Sequence, residues 1–276
     1  MPDGFTECEA LVRRDDPDRA VAVAFAARDR WPYLNALYAF DIETARIRQI
    51  VSQPLPGEIR LQWWRDRIEA HAADPLEASG QGSPVAAALL ETIATCDLPA
   101  SAFETLLDAR IFDLYDDPMP GRAELEAYAG ETASAVLMLA AMVLDREGAS
   151  AASEAAGHAG VTRVVAEAVT LLDRRPAHAQ IFFPTDILDA VGCAREALSG
   201  DDEERRRAVA AMAAFGLDHA AKARAAAAAL PRSLKPVFLT LDPIETSLRR
   251  ANSPGPTLGR AAPLRRLFSY WRAMRR

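Results

Sequence analysis

Alanine sets the limits on what this chain can form. Runs such as Ala225 to Ala229 and the stretch Ala133 to Leu144 place the best helix former where a strand would need β-branched residues in alternation. Half of the 276 residues are hydrophobic and only 7% are aromatic, so a core large enough for one domain must be built mainly from Ala, Leu and Val. The expected fold is all-α, one domain over residues 1–276. No internal repeat interrupts it, and no linker is long enough to divide it into separate domains.

Proline and aspartate punctuate the helices. Asp15, Asp16 and Pro17 open a helix through Arg28, and Pro32 lies in the first turn of a second that ends near Val51, where Pro54 and Pro56 break the chain. Further helices are expected from Gly57 to Ala73, from Pro84, from Ser101 to Asp117, from Arg122 to Leu144 and from Ala151 to Asp173. Others fall near Thr185 to Val191, Asp201 to Leu230, Ser233 to Arg250 and Pro263 to Arg276.

A formal charge of −7 argues against nucleic acid as a partner, since phosphate binding needs a basic face. Cys8, Cys96 and Cys193 are widely spaced and odd in number, which suits buried structural thiols rather than disulfides or a zinc site. The first residues carry Asp3, Glu7 and Glu9 in place of a basic and apolar leader, so a cytoplasmic protein is expected. The run Ala133 to Leu144 is about half the length a bilayer span needs, and no span is expected.

Three stretches have the residue types for chemistry. Asp113, Asp116 and Asp117 sit at i, i+3 and i+4, so on a helix their carboxylates share a face, as a Mg²⁺ and diphosphate site needs. The same acids before Pro118 also read as a solvated helix end, where the dipole disfavours anions. In Pro54 to Asp66 the tryptophans Trp63 and Trp64 serve packing, and Glu58, Arg60, Arg65 and Asp66 are candidates for a buried ion-pair network between helices. His178, after Arg174 and Arg175, has a range suited to proton transfer and equally suits a helix cap.

The segments Leu37-Tyr38-Ala39-Phe40, Pro56 to Asp66, Phe112 to Pro118, Tyr128 to Ser134 and Ile181-Phe182-Phe183-Pro184 follow one another in a telling order and spacing. Together they resemble the squalene/phytoene synthase family over roughly residues 20–250. The resemblance implies an isoprenoid-synthase-like helical fold around a deep central cavity, where two prenyl diphosphates are condensed head to head with Mg²⁺. It also implies that two helices facing each other across that cavity carry aspartates one helical turn apart.

Here the pattern departs from the family. After Tyr38-Ala39-Phe40 the expected acids fall on Ala45, Arg46 and Gln49, and upstream of Ile181 they fall on Arg174 and His178. Asp41 and Glu43 are two residues apart and diverge on a helix. The resemblance marks Tyr38, Ala45, Arg46, Gln49, Arg174 and His178 as ligand-binding candidates, with Asp113, Asp116 and Asp117 as displaced metal ligands. In the family register the stripe Leu34, Leu37, Tyr38, Ala45 places Ala45, Arg46 and Gln49 opposite the helix ending near Arg174, across a largely apolar pocket.

A departing diphosphate needs divalent cations, and those need carboxylates. Without them, Arg46, Arg48, Arg174 and Arg175 offer bidentate hydrogen bonds to a diphosphate, and binding outlasts catalysis. Retention of Pro56 to Asp66 with loss of the aspartates is similar to the branch that includes the mitochondrial complex I assembly factor, which implies a role in respiratory complex assembly. Three classes of function stand: a binder of prenyl diphosphate or isoprenoid lipid, a protein-interaction factor in respiratory complex assembly, and an active transferase requiring Mg²⁺. The expected reading is a catalytically degenerate member acting by binding. Residues 260–276 mix arginines with Leu264, Leu267, Phe268, Tyr270 and Trp271, which suits peripheral contact with an anionic membrane or docking onto the domain itself.

Overall fold

In the computed structural model residues 3–73, 82–174, 181–200, 202–251 and 263–275 are described, and every regular element among them is helical. Helix α1 (Gly4–Asp15) is capped by Asp3, whose carboxylate accepts from the Phe5 amide at 3.3 Å. Asp16 ends it and caps α2 (Pro17–Val23) by accepting from the Arg19 amide at 3.0 Å, while Pro17 needs no donor in a first turn. The helix expected from Asp15 to Arg28 is therefore corrected at both ends. α1 precedes it, and the chain turns after Val23, where the Trp31 indole bonds the Ala26 carbonyl at 3.0 Å.

Helix α3 (Trp31–Ala45) buries residues on nearly every side, Asp41 included, which makes it the central helix of the first half. After Arg46 the short α4 (Ile47–Ile50) follows, and α5 (Pro54–Ala73) starts on the prolines expected to break the chain, because its first turn has no amide to satisfy. With α6 (Pro84–Cys96) and α7 (Ala100–Ala109) they close a core in which Phe40 meets Trp64 and Phe103 edge-on, at 5.0 and 5.5 Å. Cys8, Cys96 and Cys193 are buried free thiols, and burial with nearby Glu43, Glu7 and Asp3 pushes Cys8 up to about 12.

The helix from Arg122 to Leu144 runs unbroken as α8 (Arg122–Ala129), a π-turn at Gly130–Ser134 and α9 (Ala135–Leu144). By length and composition it is apolar enough to cross a membrane, which the run Ala133 to Leu144 alone is not. Its apolar stretch is 61% buried inside the domain, and this core position accounts for the composition. The second half of the core packs α10 (Ser153–Arg174) on α12 (Glu203–Ala228), with α11 (Thr185–Ala190) and α13 (Leu241–Ala251) against them. Helix α14 (Pro263–Arg275) is seated by Tyr270, fully buried among Ala22, Leu239 and Phe25, so this helix docks onto the domain.

Two glycines of α10 separate packing from helix propensity. A Cβ on Gly160 would lie 2.0 Å from Ser134 Oγ and 2.6 Å from its amide nitrogen, because α10 passes directly against the π-turn, whereas a Cβ on Gly157 meets nothing. We expect Gly160→Ala to lose about 1–3 kcal/mol, overpacking outweighing the gain in helix propensity. Gly157→Ala should be neutral or stabilising by up to about 1 kcal/mol. Urea denaturation of both variants checks this.

Candidate functional site

A cavity of about 960 Å³ opens between the two halves of the core. Its walls come from the end of α3 with α4, from the π-turn, from α10 and α13, and from Ser269 of α14. The widened turn at Gly130–Ser134 brings Tyr128, Thr132 and Ala133 to the cavity together, and Thr132 Oγ1 returns a bond to the Tyr128 carbonyl at 2.6 Å.

The floor is a buried lattice of charges. Arg19 Nη1 donates to one oxygen of Asp41 at 2.6 Å and Arg110 Nη2 to the other at 2.9 Å. Arg110 Nη1 reaches Tyr128 Oη at 2.9 Å and Asp113 at 3.3 Å, while the Tyr128 hydroxyl donates to Asp113 at 2.6 Å. Arg163, on α10, bridges Asp16 at 2.7 Å and Glu167 at 2.9 Å. Burial raises the Asp41 carboxyl, but Arg19 and Arg110 outweigh it and hold the group well below the usual carboxylate range. Asp113 goes the other way, since burial exceeds what Arg110 and Tyr128 return.

This placement corrects several expectations. The pocket joins a charged floor to a wall to which Ile42, Val164, Phe182 and Ile244 contribute. Ala45, Arg46 and Gln49 do line it, opposite Glu167, Thr170 and Leu171 of α10, but Arg46 is engaged by Asp15 at 2.6 Å. Tyr38 lies in the core with the Arg19 guanidinium 4.5 Å from its ring centre, and is not among the residues of the cavity wall. The Arg174 side chain and His178 lie outside the described residues, as does Arg175.

Asp113, Asp116 and Asp117 do not converge. Residues Arg110–Leu114 form a 3₁₀ turn and Tyr115 is extended, so only Asp113 enters the network, while Asp116 is exposed against Arg195 at 2.9 Å. Glu58, Arg65 and Asp66 make surface contacts with Tyr115, Asp108 and Gln62, so no buried ion network forms there. A divalent cation does not fit the floor, because both oxygens of Asp16, Asp41 and Asp113 already accept hydrogen bonds. Among the described residues no group of three acids, histidines or cysteines is placed to hold a metal.

Asp16, Arg19, Arg110, Tyr128 and Arg163 went unrecognised from sequence. A signal existed for Arg163 and Glu167, a charged pair at i, i+4 inside the apolar run Val161 to Val169, where a buried charge demands a partner. Removing the central acid leaves Arg19 and Arg110 buried without it. Asp41→Asn should lose roughly 3 kcal/mol or more, read by urea denaturation at neutral pH. The stability from Asp41 is fully present above its unfolded value of about 3.9 and is lost as pH falls through its depressed folded value, so acid unfolding should be less steep in the variant.

Comparison with known proteins places this geometry. The squalene/phytoene synthase family matches residues 12–268. Among curated relatives, rat NADH dehydrogenase (ubiquinone) complex I, assembly factor 6 is 28% identical over 255 residues, covering 91% of this chain and 74% of its own length. The human protein of the same name is 26% identical over 88% of this chain and 72% of its own. Among solved structures, squalene synthase HpnC from Alicyclobacillus acidocaldarius superposes with a TM-score of 0.73 at 21% identity, covering 91% of this chain and 95% of that one. A ligand-bound dehydrosqualene synthase reaches 0.77 at 14% identity, covering 98% and 95%. A cavity walled by the end of α3, the Tyr128 to Ser134 turn and α10, in an isoprenoid-synthase helical fold, thus goes with a match over nearly the whole sequence, and the chain belongs to the squalene/phytoene synthase family.

Proposed function

We propose that this chain is a non-catalytic member of the family, which binds a prenyl diphosphate or isoprenoid lipid in its cavity and assists respiratory complex assembly from the cytoplasm. One observation carries the reading. Asp16, Asp41 and Asp113 are each already held by an arginine of the same chain, and the positions where the family resemblance expects acids, at the end of α3 and on α4, carry Ala45, Arg46 and Gln49. Guanidinium groups occupy the carboxylates that a metal would need. The cavity itself persists, at a size within the range of about 300–1,000 Å³ that small-molecule sites span, with an apolar wall for a hydrocarbon chain. The names of the rat and human relatives support the assembly role.

Losing one metal or transition-state contact commonly costs about 2–4 kcal/mol of barrier, a hundredfold or more in rate. The protein incubated with farnesyl or geranylgeranyl diphosphate and Mg²⁺ should therefore form no extractable hydrocarbon at a synthase's rate. Calorimetry should give a heat of diphosphate binding that does not depend on Mg²⁺. Robust squalene or phytoene formation would establish the transferase alternative instead. Deleting the gene in its own host should lower the assembled NADH dehydrogenase complex on native gels; an unchanged complex removes the assembly role.

A further inference from the structure

Outside the cavity, α10 and α12 cross closely. Gly216 of α12 lies so near α10 that a Cβ there would stand 2.6 Å from Val165 Cγ1, and Thr162 Oγ1 of α10 donates to the Gly216 carbonyl at 3.4 Å. Two of the four histidines meet at this crossing, His158 from α10 and His219 from α12, with their Nδ1 atoms 3.1 Å apart. The rings stand edge-on with centres 5.0 Å apart, and Phe215 closes on His219 at 4.8 Å. His219 is buried and His158 half-buried. Neither lines the cavity, yet both helices continue into its wall, α10 through Arg163, Glu167 and Thr170 and α12 through Arg224.

Such a pair can hold only a limited number of protons. A neutral imidazole has one N–H and one lone pair, so two Nδ1 atoms in hydrogen-bond contact need a donor on one ring and a lone pair on the other. Glu126 of α8, whose Oε1 lies 3.5 Å from His219 Nε2, favours the proton of His219 on that nitrogen. His219 Nδ1 then accepts and His158 Nδ1 donates. One further proton fits on His158 Nε2 without disturbing this bond. A second has to sit on His219 Nδ1, where two N–H groups of two cations face each other at 3.1 Å in a largely buried site. Among the described residues the charged groups acting on His219 are Glu126 from α8, His158 from α10, and Lys222 and Asp218 of its own helix. Burial holds the His219 imidazole below its ordinary range; Glu126 and Asp218 oppose this, while His158 and Lys222 add to it. We propose that His158 and His219 form an acid-sensitive clasp, which closes the α10–α12 crossing while the pair carries at most one added proton and releases it, with the cavity wall, at the second. The clasp acts whatever the cavity holds.

His219 takes up fewer protons in the folded than in the unfolded chain. Its share of stability is therefore complete above about pH 6.5 and is lost as pH falls from there through the lowered folded value, a window well above that of Asp41. Nitrogen-15 NMR of the four imidazoles in the full chain should show this pair titrating in two steps at least about one pH unit apart. Across the second step, hydrogen exchange corrected for its intrinsic rate should speed up by about tenfold or more in α10 and α12 and stay constant in α6. His158→Asn and His219→Asn each keep a polar atom close to the Nδ1 position and cannot take the second proton. The fall in urea midpoint between about pH 7.5 and about pH 5 should flatten in both variants. Titration of both rings in a single step, exchange that does not change, or a pH dependence in the variants equal to that of the unaltered chain overturns the clasp. Where a variant fails to fold, the titration and exchange of the unaltered chain decide alone.

Discussion

Asp41 is the point on which the architecture turns. It projects from the central helix of one half of the core, and its two oxygens are held by Arg19 from α2 and by Arg110 from the turn after α7. Taking one carboxylate and two guanidinium groups out of water costs several kcal/mol per ion, and only near-ideal hydrogen bonding on all sides returns that cost. The lattice therefore extends outward: Arg110 to Asp113 and Tyr128, Arg19 toward Asp16, and Asp16 to Arg163 on the far wall. Asp16 also caps α2, so the same residue sets where a helix begins and how the two halves of the core are tied.

This lattice decides what the cavity can do. A carboxylate that accepts from guanidinium on each oxygen is a poor magnesium ligand, and a guanidinium that is satisfied by carboxylates is a poor receptor for a diphosphate. Arg48 and Arg110 both line the cavity with Nε buried and without a hydrogen-bond partner, and Arg48 Nη1 reaches the Val51 carbonyl at 3.4 Å. A relative that keeps the fold need not keep the chemistry, since function resides in the site.

The helical architecture was legible because alanine, capping aspartates and prolines act locally. Asp16-Pro17, Ser83-Pro84 and Asp202 each mark a helix start within a residue or two of its place. The exceptions have local causes: prolines 54 and 56 fit a first turn, and Phe112 to Asp117 leaves the α-helix for a tighter turn that scatters its aspartates. The site was only partly legible. Ala45, Arg46 and Gln49 fall on the cavity wall although the helix expected through Val51 breaks at Arg46, because α4 resumes one residue after α3 ends. The partners of Asp41 lie 22 and 69 residues away, and no periodicity links positions so remote.

The helix from Arg122 to Leu144 has a consequence during synthesis of the chain. It is apolar enough to pass for a membrane span, and its composition is tolerable because α3, α7, α10 and the turn Lys235–Phe238 cover it. Two of those four coverings come later in the chain. As translation proceeds, this segment emerges as a greasy helix with α3 and α7 made to receive it, and its remaining face stays uncovered until α10 is complete. During that interval a nascent chain is hard to tell from a membrane protein, for an insertion machine or for a chaperone. The order in which α9 and α10 leave the ribosome thus makes a helix that is well covered in the finished domain a vulnerable one while the domain is being made.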